Sequence, residues 1–302
     1  MADRGPLTRF CVRYFLYPLQ GALIGSIYYT MRSLPLEIAT KISSFFFRQI
    51  GQRMRVARVA ENNVRRVFPE LNDQEVNGLL DRIWNDLGQG AAEFAHLDQL
   101  TYQGPRKRVE LVGLENLSRM RGNGPAGIIF SAHIGNWELG ARMFSKAGLS
   151  LGQIYRGADN PFIDYLFKKA RNDSGITLVP KGREGATQMV RLMGSGLHFG
   201  VMMDQKLNEG IPIPFFGHNA MTATAPVEMA LRRGGPIIPA RCIRLSGSRF
   251  KVEILPPIKI KLTGDKKADV EVTLRRINTI IEEWIREYPE QWFWLHRRWP
   301  KD

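Results

Sequence analysis

By its pattern of apolar positions the chain has a helical first third and an alternating remainder. Between Arg13 and Arg32 lies "YFLYPLQGALIGSIYYTM", eighteen residues without a charge. That is near the minimum for a membrane-spanning helix. Tyr14, Tyr17, Tyr28 and Tyr29 stand toward its ends, as interfacial aromatics do, whereas Pro18 and Gln20 argue against a span. The expectation is a membrane-anchoring helix, spanning or interfacial. Its rivals are a buried first helix and a signal peptide with Arg4, Arg9 and Arg13 as basic leader, although no small-x-small cleavage site follows. The next stretch, "PLEIATKISSFFFRQIGQRM", mixes apolar residues with Lys41, Arg48, Arg53 and Arg55. A basic amphipathic helix on an anionic surface has this pattern.

From Arg58 to about Gln99 the spacing predicts helix, broken at Pro69 and restarted at Asn72 or Asp73 as cap, with Glu75 in the first turn. After Pro105 short apolar runs bounded by glycine and polar residues predict strands: "RVELVGLENL", "AGIIFSAH", "GLSLGQIYR", "ITLVP", "LHFGVMMDQ", "GPIIPARCIRL" and "RFKVEILPPIKI". Helical patterns alternate with them at Trp137 to Ala147, Phe162 to Asn172, Glu184 to Met193, Ala225 to Arg233 and Val270 to Tyr288. This predicts an α/β fold, a central mixed sheet flanked by helices and preceded by the anchoring helix and helical segment. The expected division is an N-terminal anchor with its basic amphipathic helix, 1–55, and an α/β domain, 56–302.

In open α/β sheets the site lies beyond the carboxyl ends of the strands. "AGIIFSAHIGNWELG" crosses such a point, with His133 in the loop and Glu138 in the first turn of the next helix. On a straight helix five positions turn about 500°, leaving the two side chains roughly 140° apart. A strand-to-helix bend, with Asn136 as N-cap, lets the carboxylate reach back to the imidazole. Such a dyad fixes one ring nitrogen and leaves the other as base for a substrate hydroxyl. The competing reading is a first-turn glutamate suited to the helix dipole beside a structural histidine.

The net charge of +14 points to an acidic partner: nucleic acid, anionic membrane or acidic protein. Cys11 and Cys242 are the only cysteines, which is no disulfide framework and suits a reducing compartment. No HExxH, CxxC, Asp-rich loop, P-loop or dinucleotide fingerprint suggests a metal or cofactor. His198 and His218 lack metal-ligand spacing. "LHRRWPK" has the basic-aromatic character of a nucleic-acid patch, but a membrane-facing or carrier-facing cluster explains it equally.

"HIGNWE" resembles the H-x-x-x-x-[D/E] signature of the glycerolipid and lysophospholipid acyltransferases. More narrowly, the chain resembles the late acyltransferases of lipid A biosynthesis, the lauroyl and myristoyl transferases. The resemblance runs through "SAHIGNWELG", "IYRGADNPFIDYLFKKAR" with Tyr155 and Arg156, "MMDQK" with Asp204 and Gln205, "GIPIPFFGHNAMTATAPVEMAL" with Phe215, Phe216 and Gly217, "GGPIIPA" and "YPEQWFWLHRRW". It implies transfer of a fatty acyl group from an acyl carrier protein thioester to a hydroxyl of a Kdo-bearing lipid A precursor, at the inner membrane on its cytoplasmic side. His133 is then the general base and Glu138 its orienting partner, with no acyl-enzyme. Amides near Asn136 and the Arg156 guanidinium are oxyanion candidates, and Arg156 is alternatively a phosphate ligand. Asp204 bonds Arg156 or an acceptor hydroxyl, or caps a turn. Phe215 and Phe216 wall an acyl tunnel or lie in the core. The resemblance implies neither metal nor nucleic acid. The rival functions are an acyltransferase for another glycolipid or aminolipid, and a basic membrane or nucleic-acid-binding protein that leaves "HIGNWE" idle.

Overall fold

The computed structural model describes residues 6–122, 124–171 and 175–300. Arg4 and Asn172, the first residue of the basic leader and the expected end of one helix, lie outside them. The chain begins with α1 (Pro6–Cys11), a π-helical turn at Val12–Leu16 and α2 (Tyr17–Ser33). Pro18 lacks an N–H and its ring crowds the carbonyl four residues back; the wider π turn just before it takes up that misfit. No helix among the described residues is long and apolar enough to cross a membrane, which corrects the spanning form of the anchor. Gln20, Ser26 and Thr30 dilute the uncharged run.

The α2 helix lies along the protein instead. Asn160 donates to the Tyr17 carbonyl at 2.9 Å, and Arg32 forms a paired bond with Asp98 at 2.6 and 2.7 Å. Its outer face leaves Leu19, Leu23 and Ile27 exposed at i, i+4 and i+8. The amphipathic helix α3 (Leu36–Gly51) buries Leu36 and Ala39 but exposes Ile38, Phe45, Phe46 and Ile50. Next come α4 (Ala57–Val67) and α5 (Asp73–Glu93). The restart at Asn72 is a capping box, the side chains of Asn72 and Glu75 each bonding the other's backbone N–H.

The remaining chain alternates strand and helix: β1 (Val109–Val112), β2 (Ile128–Ser131), α6 (Glu138–Lys146), β3 (Leu151–Tyr155), α7 (Pro161–Arg171), β4 (Thr177–Pro180), α8 (Arg183–Gly194) and β5 (His198–Met202). After the pair β6 (Ile211–Phe215) and β7 (His218–Thr222) come α9 (Ala225–Arg233), β8 (Ile237–Arg244), β9 (Phe250–Ile254) and α10 (Lys266–Glu287). Seven strands form one mixed sheet in the order β1-β9-β8-β2-β5-β3-β4. Its pairs are parallel except β8 with β9.

The β2 strand shows the period of two that fixes the layers. Ile128 and Phe130 join the core shared with α10 and the C-terminal tryptophans, while Ile129 points to the opposite core with Leu139 and Met143 of α6.

The segment "PIPFFG" lies in the β6–β7 hairpin. Phe215 pairs with His218, and Phe216 and Gly217, at φ 49° and 74°, form the two-residue turn between them. Pro212 and Pro214 argue against a strand in sequence, yet a two-stranded ribbon leaves each strand an unpaired edge that tolerates them.

Candidate active site

The site stands at the centre of the sheet, at β2, whose neighbours in the chain, β1 and β3, lie on opposite sides of it. The parallel register pairs Ser131 of β2 with Met202 of β5. Two residues beyond each strand end, His133 and Asp204 are therefore level. The imidazole Nδ1 donates to Asp204 Oδ1 at 2.8 Å, and the His133 backbone N–H donates to Asp204 Oδ2 at 2.9 Å. The indole Nε1–H of Trp292 donates to Oδ2 at 2.8 Å. A wholly buried carboxylate thus has three donors, which makes its burial tolerable.

A C-terminal segment closes the site. Phe293 N donates to His133 O and Gly135 N to Gln291 O, both at 2.9 Å, so residues 291–293 run as a short antiparallel bridge beside the loop. Gly135 adopts φ 55°, and a Cβ there would fall 2.4 Å from the Cys242 carbonyl, so the loop needs glycine at this point. The imidazole edge meets Trp137 at 5.2 Å between ring centroids. Gln205 Nε2 lies 3.3 Å from the remaining ring nitrogen, Nε2. With Nδ1–H given to Asp204, that nitrogen keeps a lone pair.

The electrostatics of the pair are reciprocal. Burial pushes the Asp204 carboxyl up, but the adjacent imidazole outweighs it and holds the acid below the usual carboxylate range. Burial pulls the His133 imidazole down, while the charge and hydrogen bond of Asp204 raise it by more, with a smaller push from Glu138. The net result is a stronger base than an ordinary histidine.

Glu138 does not reach back to the ring. Both its oxygens are taken by Arg171, at 2.8 and 2.5 Å, in a bidentate bridge from the start of α6 to the end of α7. Burial lowers the guanidinium pKa, but the carboxylate outweighs it and the net shift is upward. The expected histidine–glutamate contact is thus replaced by a histidine–aspartate contact. Sheet register puts Asp204 level with His133, whereas helix α6 carries Glu138 toward α7.

Asn136 is not the N-cap: α6 starts at Glu138 with Trp137 before it and no side-chain cap. Asn136 is buried and donates to Glu93 at 3.0 Å. Glu93 also bridges Arg244, which bonds Asp86 at 2.5 Å and, through its backbone N–H, Gln291 at 2.8 Å. Burial pushes the Asp86 carboxyl up to about 6 against the pull of Arg244. This network ties α5, β8, the His133 loop and the C-terminal segment together.

Tyr155 ends β3 and donates to Asp164 at 2.5 Å; burial and that carboxylate push its hydroxyl up to about 12. The Arg171 guanidinium lies 5.2 Å from its ring, so Tyr155 borders the Glu138–Arg171 bridge. Arg156, one residue on, is exposed and forms no bond to Asp204. Phe215 and Phe216 are buried in the core rather than lining an open channel: Phe215 packs on Trp292 and Trp299, and Phe216 under Arg286. Among the described residues no group of side chains could hold a metal ion.

Sequence reasoning missed Arg171, Trp292 and Glu93. Arg171 closes "DYLFKKAR", where a basic residue at a helix C-terminus needs no partner to explain it. Trp292 lies within "YPEQWFWLHRRW", but nothing local marks it as a donor to Asp204, 88 positions away.

The family model for bacterial lipid A biosynthesis acyltransferases matches residues 13–301. Among the relatives is the lipid A biosynthesis lauroyltransferase of Escherichia coli K12, 26% identical over 254 residues, 81% of this chain and 79% of that protein. The myristoyltransferase of the same organism is 25% identical over 261 residues, 83% and 76% of the two chains. A lipid A biosynthesis acyltransferase of Haemophilus influenzae is 22% identical over 271 residues, 87% and 81%. The chain belongs to the bacterial lipid A biosynthesis acyltransferase family and is an acyltransferase.

Proposed function

We propose that the protein transfers a fatty acyl chain from an acyl carrier protein thioester to a hydroxyl of a Kdo-bearing lipid A precursor, in lipopolysaccharide biosynthesis. The observation that carries the chemistry is the 2.8 Å bond from His133 Nδ1 to the buried Asp204 carboxylate. It fixes the tautomer in which Nε2 is the base. The acceptor hydroxyl displaces the Gln205 amide from Nε2 and gives up its proton there as its oxygen attacks the thioester carbonyl. The tetrahedral oxyanion collapses, the C–S bond breaks, and the imidazolium returns the proton to the leaving thiolate. Asp204 stabilises the imidazolium in between. Glu138 orients Arg171, whose planar cation supports the oxyanion or an anionic group of either substrate.

The +14 charge supports an acidic carrier as donor. The exposed Leu19, Leu23 and Ile27 of α2, with Phe45 and Phe46 of α3, support an interfacial seat on the inner membrane from the cytoplasmic side. Residues 1–55 then form the membrane-seating segment of a catalytic domain that follows. Mass spectrometry of lipid A from a strain lacking the protein tests the reading: a species short of one acyl chain is expected, and unchanged lipid A refutes it.

A further inference from the structure

A groove of about 1270 Å³ opens between the end of α3, helices α4 and α5, and the C-terminal segment. Among the described residues, six arginines and a single carboxylate, Glu61, line it. That carboxylate is taken by Arg65, at 3.0 Å. Arg53, Arg55, Arg58 and Arg297 are exposed and form no ion pair among the described residues. Arg66 sits over the Trp299 ring at 5.6 Å, which fixes a fifth guanidinium at the wall. Like charges gathered round a concavity repel one another and focus a positive potential into it, so the groove favours an anion. Guanidinium forks match phosphate and carboxylate oxygens in particular.

The groove also has an apolar approach. Phe46, Ile50 and Met54 are 53%, 55% and 52% exposed at intervals of four, and Met54 is itself part of the groove wall. An apolar stripe leading into a cationic hollow is the shape of a site for an anionic amphiphile. A soluble acidic protein would present a convex charged face and leave both the hollow and the stripe unfilled.

We propose that this groove holds the phosphorylated sugar headgroup of an anionic membrane glycolipid, with its acyl chains along the α3 stripe. The assignment rests on the reading of a lipid A-type acceptor. It extends that reading from the hydroxyl at His133 to the charged end of the same class of lipid. The groove and the catalytic pair share a support: Arg297 and Trp299 follow His296, whose Nε2 lies 2.9 Å from the Asp204 carbonyl oxygen.

The test is vesicle flotation of the full chain, read without turnover. Three vesicle types are compared: phosphatidylcholine alone, phosphatidylcholine with a bisphosphorylated disaccharide lipid, and phosphatidylcholine with phosphatidylglycerol at equal charge. The variant R53Q/R55Q/R58Q/R297Q should lose affinity for the disaccharide-lipid vesicles by roughly tenfold per lost guanidinium–phosphate pair, with a smaller loss on phosphatidylglycerol. The corresponding lysine variant should recover only part of it. Thermal melting checks the fold, and the single variants R58Q and R297Q replace the combination if it fails to fold. Unchanged binding overturns the proposal, and so does an equal loss on both anionic vesicles, which marks a general charge effect. A rise in KM for the acyl carrier protein with lipid binding intact overturns it in favour of a carrier dock. If the chain binds the disaccharide lipid through the groove yet transfers no acyl group, the transfer reading fails and the groove assignment stands.

Discussion

His133 and Asp204 are 71 positions apart in sequence, yet each lies two residues beyond a paired strand end, and their side chains meet at 2.8 Å. Adjacent parallel strands in register deliver the base and its orienting acid to the same level. The chemistry depends on that alignment.

Removing the base tests the centre of the mechanism. His133→Ala is expected to lower transfer by about 10²–10⁴-fold. Asp204 keeps its bonds from the His133 backbone N–H and from Trp292, so the variant should melt within a few degrees of wild type. Near-normal turnover in a folded His133→Ala protein would remove the histidine from the reaction.

Asp204→Asn keeps the shape and removes the charge. Neutral imidazole is the active form, so activity falls as pH drops through the His133 pKa. That pKa is raised chiefly by Asp204 against the opposing effect of burial. Without the charge it should drop, and the acid limb of kcat/KM against pH should move to lower pH while the plateau decreases. An acid limb left in place would show that Asp204 does not act through the imidazole.

Two arginines are separated by one substitution each. Arg171→Lys keeps a cation at the end of α7 but cannot hold both oxygens of Glu138, and transfer should fall by roughly 10–100-fold, the cost of a lost charged hydrogen bond. Arg156 is exposed, so Arg156→Lys should cost less than about threefold. A larger loss at Arg156 would bring it into the site as a mobile substrate ligand.

The exposed stripe of α2 makes a prediction about location. Leu19→Glu combined with Leu23→Glu places charge on residues 69% and 60% exposed, so the fold should tolerate both. Release from membranes by salt should become easier. A variant that partitions as wild type does would move the seating surface elsewhere.

The donor is tested by ionic strength. Attraction between exposed charges is screened over about 8–10 Å at 0.1–0.15 M salt. With acceptor saturating, kcat/KM for the acyl carrier protein should fall steeply as salt is added. Equal or better kcat/KM with acyl coenzyme A across the same range would reject the carrier as the main donor.

Much of this molecule is determined locally and is legible in the sequence. The capping box at Asn72, the apolar run of β2 and the break that places His133 in a loop are consequences of neighbouring residues alone. The α/β alternation follows from the same local periodicities, and the order of motifs carries the family. Tertiary structure decided the rest. Whether an uncharged helix packs along the rest of the protein depends on the partners it meets there, as the Tyr17 backbone carbonyl meets Asn160. Which carboxylate meets His133 depended on sheet register, which put Asp204 level with the ring and sent Glu138 to Arg171. The donor Trp292 and the tie from Asn136 to Glu93 join segments distant along the chain. Local pattern specifies which element a residue occupies. The partner of a buried charge is set by which elements the packed core brings side by side.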